Sequence, residues 1–252
     1  MIESLLLFLP IALILALGTF VQAAAGFAAG MLIVPALLWM GYTIPAAQTA
    51  LLIATLPQNV GGVWSLRDEL SVKLIAVPCL GRFVFFPIGI WLLSELETLS
   101  PETIRQIVGV FILVATLCTI AFHPQPKPKL HPAWSWVVFP LSGFFQGLVG
   151  MGGPAMVLWV QAHNWNTRKS RGFLFAMYLT SFIPSLLVLY YMFGARIVPP
   201  ALAAAVSAPL MIVVTMWGLK VGSWLGRKRL RAVTLTLLLI ISLSSIAAPY
   251  LH

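Results

Sequence analysis

Charge is what this chain has least of. Only 8% of its 252 residues are charged, against about 25% in soluble domains, so a fully water-facing surface cannot be built from it. Acidic side chains are scarcest: Glu3, Asp68, Glu69, Glu95, Glu97 and Glu102, each in a flank or a loop. The four histidines, His123, His131, His163 and His252, likewise fall at segment ends or in loops. These absences remove the carboxylate and histidine clusters on which metal and acid–base catalysis depend. No enzyme, cofactor or metal site is expected, nor a carboxylate proton relay inside a membrane. Cys79 and Cys118 both sit within apolar runs, which excludes a disulfide framework and makes them small core residues.

Apolar sequence is what remains. Hydrophobic residues make up 60% of the chain and the mean hydropathy is +1.00. Runs of roughly 20 residues, long enough to cross a ~30 Å hydrocarbon layer, recur from one end to the other. None alternates in polarity as a barrel strand does, and lipid admits only helices or closed barrels. The expected fold class is an all-α polytopic membrane protein. The first run, from Leu5 to Ala24, lacks both a basic flank and a small-residue cleavage site, so it reads as a retained helix rather than a signal peptide.

Runs and breakers give ten segments: 4–24, 31–42, 44–66, 73–93, 104–122, 133–149, 153–163, 171–193, 199–219 and 231–251. Two of these, 31–42 and 153–163, are too short to span. Each follows a glycine-rich break, Gly26-Phe27-Ala28-Ala29-Gly30 and Gly150-Met151-Gly152-Gly153-Pro154. Gly26 and Gly150 are 124 residues apart, and the same offset carries Phe20 onto Phe144 and Gln22 onto Gln146. A proline-rich spacer, 123–132, joins two five-segment halves, 1–122 and 133–252.

Arg67, Lys73, Lys127, Lys129, Arg168, Lys169, Arg171, Lys220, Arg227, Lys228, Arg229 and Arg231 occupy alternate loops, and the intervening loops hold Arg105, Arg196, Glu95, Glu97 and Glu102. The positive-inside rule makes the first set cytoplasmic and puts both termini outside. The net charge of +9 is therefore a topology signal, and no nucleic-acid partner is expected. Five segments per half is an odd number, so the second half should be inverted relative to the first. Inverted halves with interrupted helices are a secondary-transporter architecture.

The two breaks are the candidate substrate site: Gly26, Phe27 and Gly30 from one, Gly150, Met151, Gly152 and Gly153 from the other. A helix that starts inside the membrane presents free N–H groups and a positive dipole end to an anion. The alternative is packing, since Gly26 and Gly30 also form a small-xxx-small face. Gln22 and Gln146 stand one turn before the breaks as amide donors, or as interhelical hydrogen-bond formers. Arg82 lies nine residues beyond Lys73, roughly 13 Å along a helix axis, with no carboxylate in the spans to pair with. It is either an anion ligand or a cap on a broken helix. Asn59, Tyr178 and Ser181 are secondary candidates beside Pro57 and Pro184. Trp39, Trp64, Trp91, Trp134, Trp165 and Trp224, near segment ends, are expected interface anchors.

The run Gly143-Phe-Phe-Gln146-Gly-Leu-Val-Gly150-Met-Gly-Gly-Pro154, echoed by Gln22 through Pro35, resembles the glycine-rich motifs of the sulfite exporter TauE/SafE family of membrane transporters. Ala28-Ala29, Pro154 and Trp159 depart from the family pattern and reshape the pocket it would form. The resemblance implies passage of a small anion, sulfite or an organosulfonate, across the cytoplasmic membrane. A channel-like pathway and a non-transporting assembly subunit are the alternatives; oligomeric state is not legible.

Overall fold

The computed structural model describes residues 2–122, 126–128 and 130–247. Residues 123–125 and 129 of the Pro-rich spacer, His123 and Lys129 among them, fall outside these ranges, as do His252 and the end of the segment expected to reach residue 251. The side chains of Arg227, Lys228 and Arg231 are not described either. The described residues form helices without named strands: α1 (Ile2–Ala25), α2 (Ala29–Trp39), α3 (Ile44–Leu66), α4 (Val72–Leu96), α5 (Pro101–Ala121), α6 (Ala133–Val149), α7 (Gly153–Gln161), α8 (Thr167–Phe193), α9 (Val198–Val206) and α10 (Ala208–Ala247). The chain is an all-helical, polytopic membrane protein.

Local chemistry sets several helix starts. Thr43, Ser71, Ser100 and Asn166 each accept a backbone N–H three residues on, from Ala46, Leu74, Thr103 and Lys169. Pro101 occupies the first turn of α5, where its missing N–H costs nothing. Each cap satisfies one donor that a helix start leaves unpaired. Outward faces are apolar: Phe85 and Ile88 on α4, Val114 and Leu117 on α5, Ile183 and Leu187 on α8 are all exposed. Three elements, Val72–Leu96, Pro101–Ala121 and Thr167–Val206, are long and apolar enough to cross a bilayer.

The short helices are the innermost. Eight of the eleven α2 residues are buried, on every face, as expected for a helix surrounded by other helices. A Cβ on Gly18 would collide with Ile33, so α2 runs back along α1 as a hairpin. The α6–α7 pair does the same, with Phe139 and Trp159 rings 4.9 Å apart across it.

The tightest helix pair is α4 with α6. A Cβ on Gly147 would strike the Phe86 carbonyl, one on Gly143 the Arg82 backbone, and one on Gly89 the Phe144 carbonyl. Only glycines let two backbones approach so closely, the small-residue packing that replaces hydrophobic drive between helices in lipid. Gly218 and Gly222 of α10 repeat this against Phe20, Ala23 and Ala24 of α1.

Sequence predicted two segments, 199–219 and 231–251, where the backbone instead breaks at Ser207 and is then helical from Ala208 to Ala247. A straight helix of that length would measure roughly 60 Å. Gly222 lies on Ala24, near the end of α1, whereas Ser245 lies on Gly109 of α5 and within 3.5 Å of the Trp39 indole nitrogen. Because α2 returns along α1, Trp39 is far from Ala24, and the chain must reverse between Gly222 and Ser245. The expected hairpin is present although its turn keeps helical backbone.

Charged groups collect at two ends. One has Arg168 3.6 Å from Glu69 and Lys127 paired through its backbone with Ala162 and Asn164. At the other, Arg105 donates to the Leu38 carbonyl at 3.2 Å and stacks on Trp39. Trp64, Trp91, Trp134 and Trp224 are exposed as anchors should be. Trp165 instead packs among Trp159, His163 and Phe173.

Candidate functional site

The two hairpin tips meet. A Cβ on Gly30 would lie 2.8 Å from the Gly150 carbonyl oxygen and 3.5 Å from the Met151 side chain. Beside this contact is a small cavity of about 40 Å³, room for a few water-sized molecules. Ala28, Ala29, Gly30 and Met31 from the start of α2 form one wall, and Gly150, Met151, Gly153 and Pro154 form another. Gln22 and Gln146 both reach it. The long helices close it with Leu51, Thr55 and Asn59 of α3 and Tyr178 and Phe182 of α8. Thr55 and Asn59 lie near the middle of α3, far from either charged end.

Both turns depend on left-handed backbone. Gly26 has φ 87° and Gly150 has φ 74°, a region open to glycine without penalty. Ala28, at φ 89°, is the non-glycine residue in that region, at a cost of roughly 1–2 kcal/mol for a side-chain-bearing residue. Neither α2 nor α7 has a side-chain N-cap, and the starts of both helices line the cavity, although Pro154 brings no N–H to it. No acidic side chain lines it. Two uncapped helix starts with amide and hydroxyl side chains favour a small anion over a cation.

The second tip carries a hydrogen-bond frame. The Gly152 N–H donates to Gln146 Oε1 at 3.2 Å, and the Ser142 hydroxyl donates to the Gly152 carbonyl at 2.7 Å. Gln48 Nε2 donates to the Gly147 carbonyl at 3.0 Å. Gln146 is thus partly spent on its own turn. No hydrogen bond holds the Gln22 amide among the described residues; the first tip is tied by the Gly26 N–H donating to the Gln22 carbonyl at 2.7 Å and by Arg171 donating to the Ala24 carbonyl at 3.1 Å.

Of the predicted residues, the cavity gathers Gln22, Gly30, Gln146, Gly150, Met151, Gly153, Asn59 and Tyr178. Phe27 is packed in the apolar core, Gly152 faces Ser142 and Gln146, and Gly26 has open space beside it; none of the three lines the cavity. Arg82 and Ser181 line a different space between α4 and α8. Arg82 donates to the Met177 carbonyl at 3.2 Å, inside the continuous α8 and not at the end of a broken helix. Ala28, Ala29, Met31, Leu51, Leu52, Thr55, Pro154 and Phe182 were missed. Pro154 and the alanines adjoin recognised motifs and could have been included. The apolar helix residues carry no signal of their own.

These features define a class: a multi-pass helical membrane protein in which two helical hairpins with glycine-rich tips meet at a buried, carboxylate-free cavity. The sulfite exporter TauE/SafE family pattern matches residues 11–245, and the chain belongs to that family. It is 21% identical over 220 residues to the "Probable sulfite/organosulfonate exporter TauE" of Cupriavidus necator, covering 86% of this chain and 84% of that protein. No solved structure matches the chain.

Proposed function

We propose that the protein carries a small anion, sulfite or an organosulfonate, across the cytoplasmic membrane through the cavity where the hairpins meet. The observation that carries this is the convergence of two uncapped helix starts on one buried space walled by amides and hydroxyls and by no carboxylate. A developing negative charge there meets peptide dipoles instead of a fixed cation, so it is held without being trapped. The relative's printed name supplies the substrate class.

Helix pairing supports inverted halves. When the second half is laid on the first, α3 corresponds to α8 and α5 to the end of α10, and each pair is in contact. α4 against α6 corresponds to the start of α10 against α1, and those are the glycine-mediated pairs. A two-fold axis in the membrane plane produces this pattern. The basic loops then face the cytoplasm and the ends with Arg105 and Arg196 face outward.

Flux of sulfite and small sulfonates into proteoliposomes tests the proposal. Gln22→Glu keeps the side chain's size and sets a negative charge at the cavity; like charges about 4 Å apart repel by several kcal/mol at an effective dielectric near 20. Flux should fall more than tenfold with the protein still folded. Unchanged flux, or no flux of any sulfur oxyanion in the parent protein, overturns the assignment.

A further inference from the structure

Arg82 is 2% exposed and sits roughly 15 Å into α4, outside the central cavity. Its guanidinium has five N–H donors in a fixed fork, yet the partners are few. Nη1 meets the Met177 carbonyl at 3.2 Å and the Met156 thioether at 3.1 Å, and Nε is buried without a partner. A thioether is a weak acceptor. The acidic residues of the sequence all lie outside the apolar runs, so no carboxylate in the spans can neutralise this charge. A buried charge normally has a partner of opposite sign, because desolvating it alone is costly.

A space of about 30 Å³ adjoins it, bounded by Arg82, Ser181 and Ser185 and by the apolar Phe86, Pro184 and Val188. The Ser181 hydroxyl already donates to the Met177 carbonyl at 2.7 Å, which leaves Arg82 and Ser185 as the donors facing it. The volume corresponds to two or three water positions. That is enough for a monoatomic anion. The space lies along α8 from Ser181 to Val188, whereas the central cavity takes Tyr178 and Phe182 from the same helix.

We propose that the Arg82–Ser185 space is a second anion site, selective for a halide-sized monovalent ion such as chloride, which neutralises Arg82 and ties α4 to α8. The site is separate from the cavity assigned to the transported anion and does not rest on that assignment.

The test uses the full-length protein purified in detergent. Its unfolding temperature is followed while chloride or bromide replaces gluconate at constant ionic strength. The parent protein should gain stability saturably with either halide. Arg82→Met, which removes the charge but keeps a long side chain, should lose that response. Should Arg82→Met fail to fold, Ser185→Val fills the space and should weaken the apparent halide affinity at least fivefold. Crystals grown in bromide should show an anomalous peak beside Arg82. Gln22→Leu, in the central cavity, should leave the halide response intact. No halide response in the parent protein, an equal response in Arg82→Met, an unaltered affinity in Ser185→Val when that is the variant that folds, or a bromide peak elsewhere overturns the proposal. Absence of sulfite flux in the parent protein with its halide response present would count against the transport assignment alone.

Discussion

The two hairpins share a plan and differ in how their tips are held. The α6–α7 tip is framed from within: Gln146 holds the Gly152 N–H, Ser142 holds the Gly152 carbonyl, and Gln48 of α3 holds the Gly147 carbonyl. The α1–α2 tip has no such frame. It carries Ala28 in left-handed backbone, leaves the Gln22 amide facing the cavity, and is bonded by its own Gly26 N–H to the Gln22 carbonyl and by Arg171 from α8. One tip is framed by side chains. The other is packed by apolar contact and retains local strain. Equivalent glutamines therefore differ: one bonds within its own turn, and the other has no side-chain hydrogen bond among the described residues.

The sharpest way to break this comparison is to remove each amide in turn. Gln146→Leu leaves the Gly152 N–H buried and unpaired, which should cost about 1–3 kcal/mol. Gln22→Leu removes no existing bond and should be close to neutral. Thermal unfolding of the two variants in detergent checks the contrast, and equal losses would show that the tips are held alike.

A smaller effect is expected at Ala28. Substitution by glycine relieves the left-handed strain but frees the unfolded chain and gives up a buried methyl, leaving a net gain of about 0.5–1 kcal/mol. A loss of stability in Ala28→Gly would mean that the first tip is not strained.

The smallest concerns the segment leaving the first hairpin, where Glu97 packs against the start of α3. Burial raises its carboxyl above the usual carboxylate range, outweighing the Ile44 N–H and Arg196, which both lower it. The folded state then holds this proton more tightly than the unfolded state. Stability should be greatest at low pH and decline as pH rises from the ordinary carboxylate range through the raised value. Glu97→Gln should flatten that decline in a pH series of unfolding temperatures; an unchanged slope would place the titration elsewhere.

Much of this was legible in the chain itself. Glycine at 26 and 150 announced both turns, because those φ values admit little else, and the shortness of 31–42 and 153–163 ruled out full spans. The repeated offset pointed to both glutamines at one cavity. The loop expected from Lys220 through Arg231 is instead helical backbone, and the contacts place the reversal within the wider stretch between Gly222 and Ser245. Arg82 was the misleading residue. A lone cation in an apolar run suggests a ligand for the main substrate, but only packing shows which side of α8 it reaches.

Hydropathy, glycine spacing and the poverty of carboxylates determined by themselves that this is a helical membrane protein with two interrupted elements and no acid–base chemistry in its spans. Those are properties of single segments, written in composition and local backbone preference. Tertiary structure decided that Gly30 touches Gly150, that Gln146 is consumed by its own turn while Gln22 is not, and that Arg82 occupies a separate space. The contacts of Gly30 with Gly150 and of Arg82 with Met177 join residues distant in sequence, which no local pattern encodes.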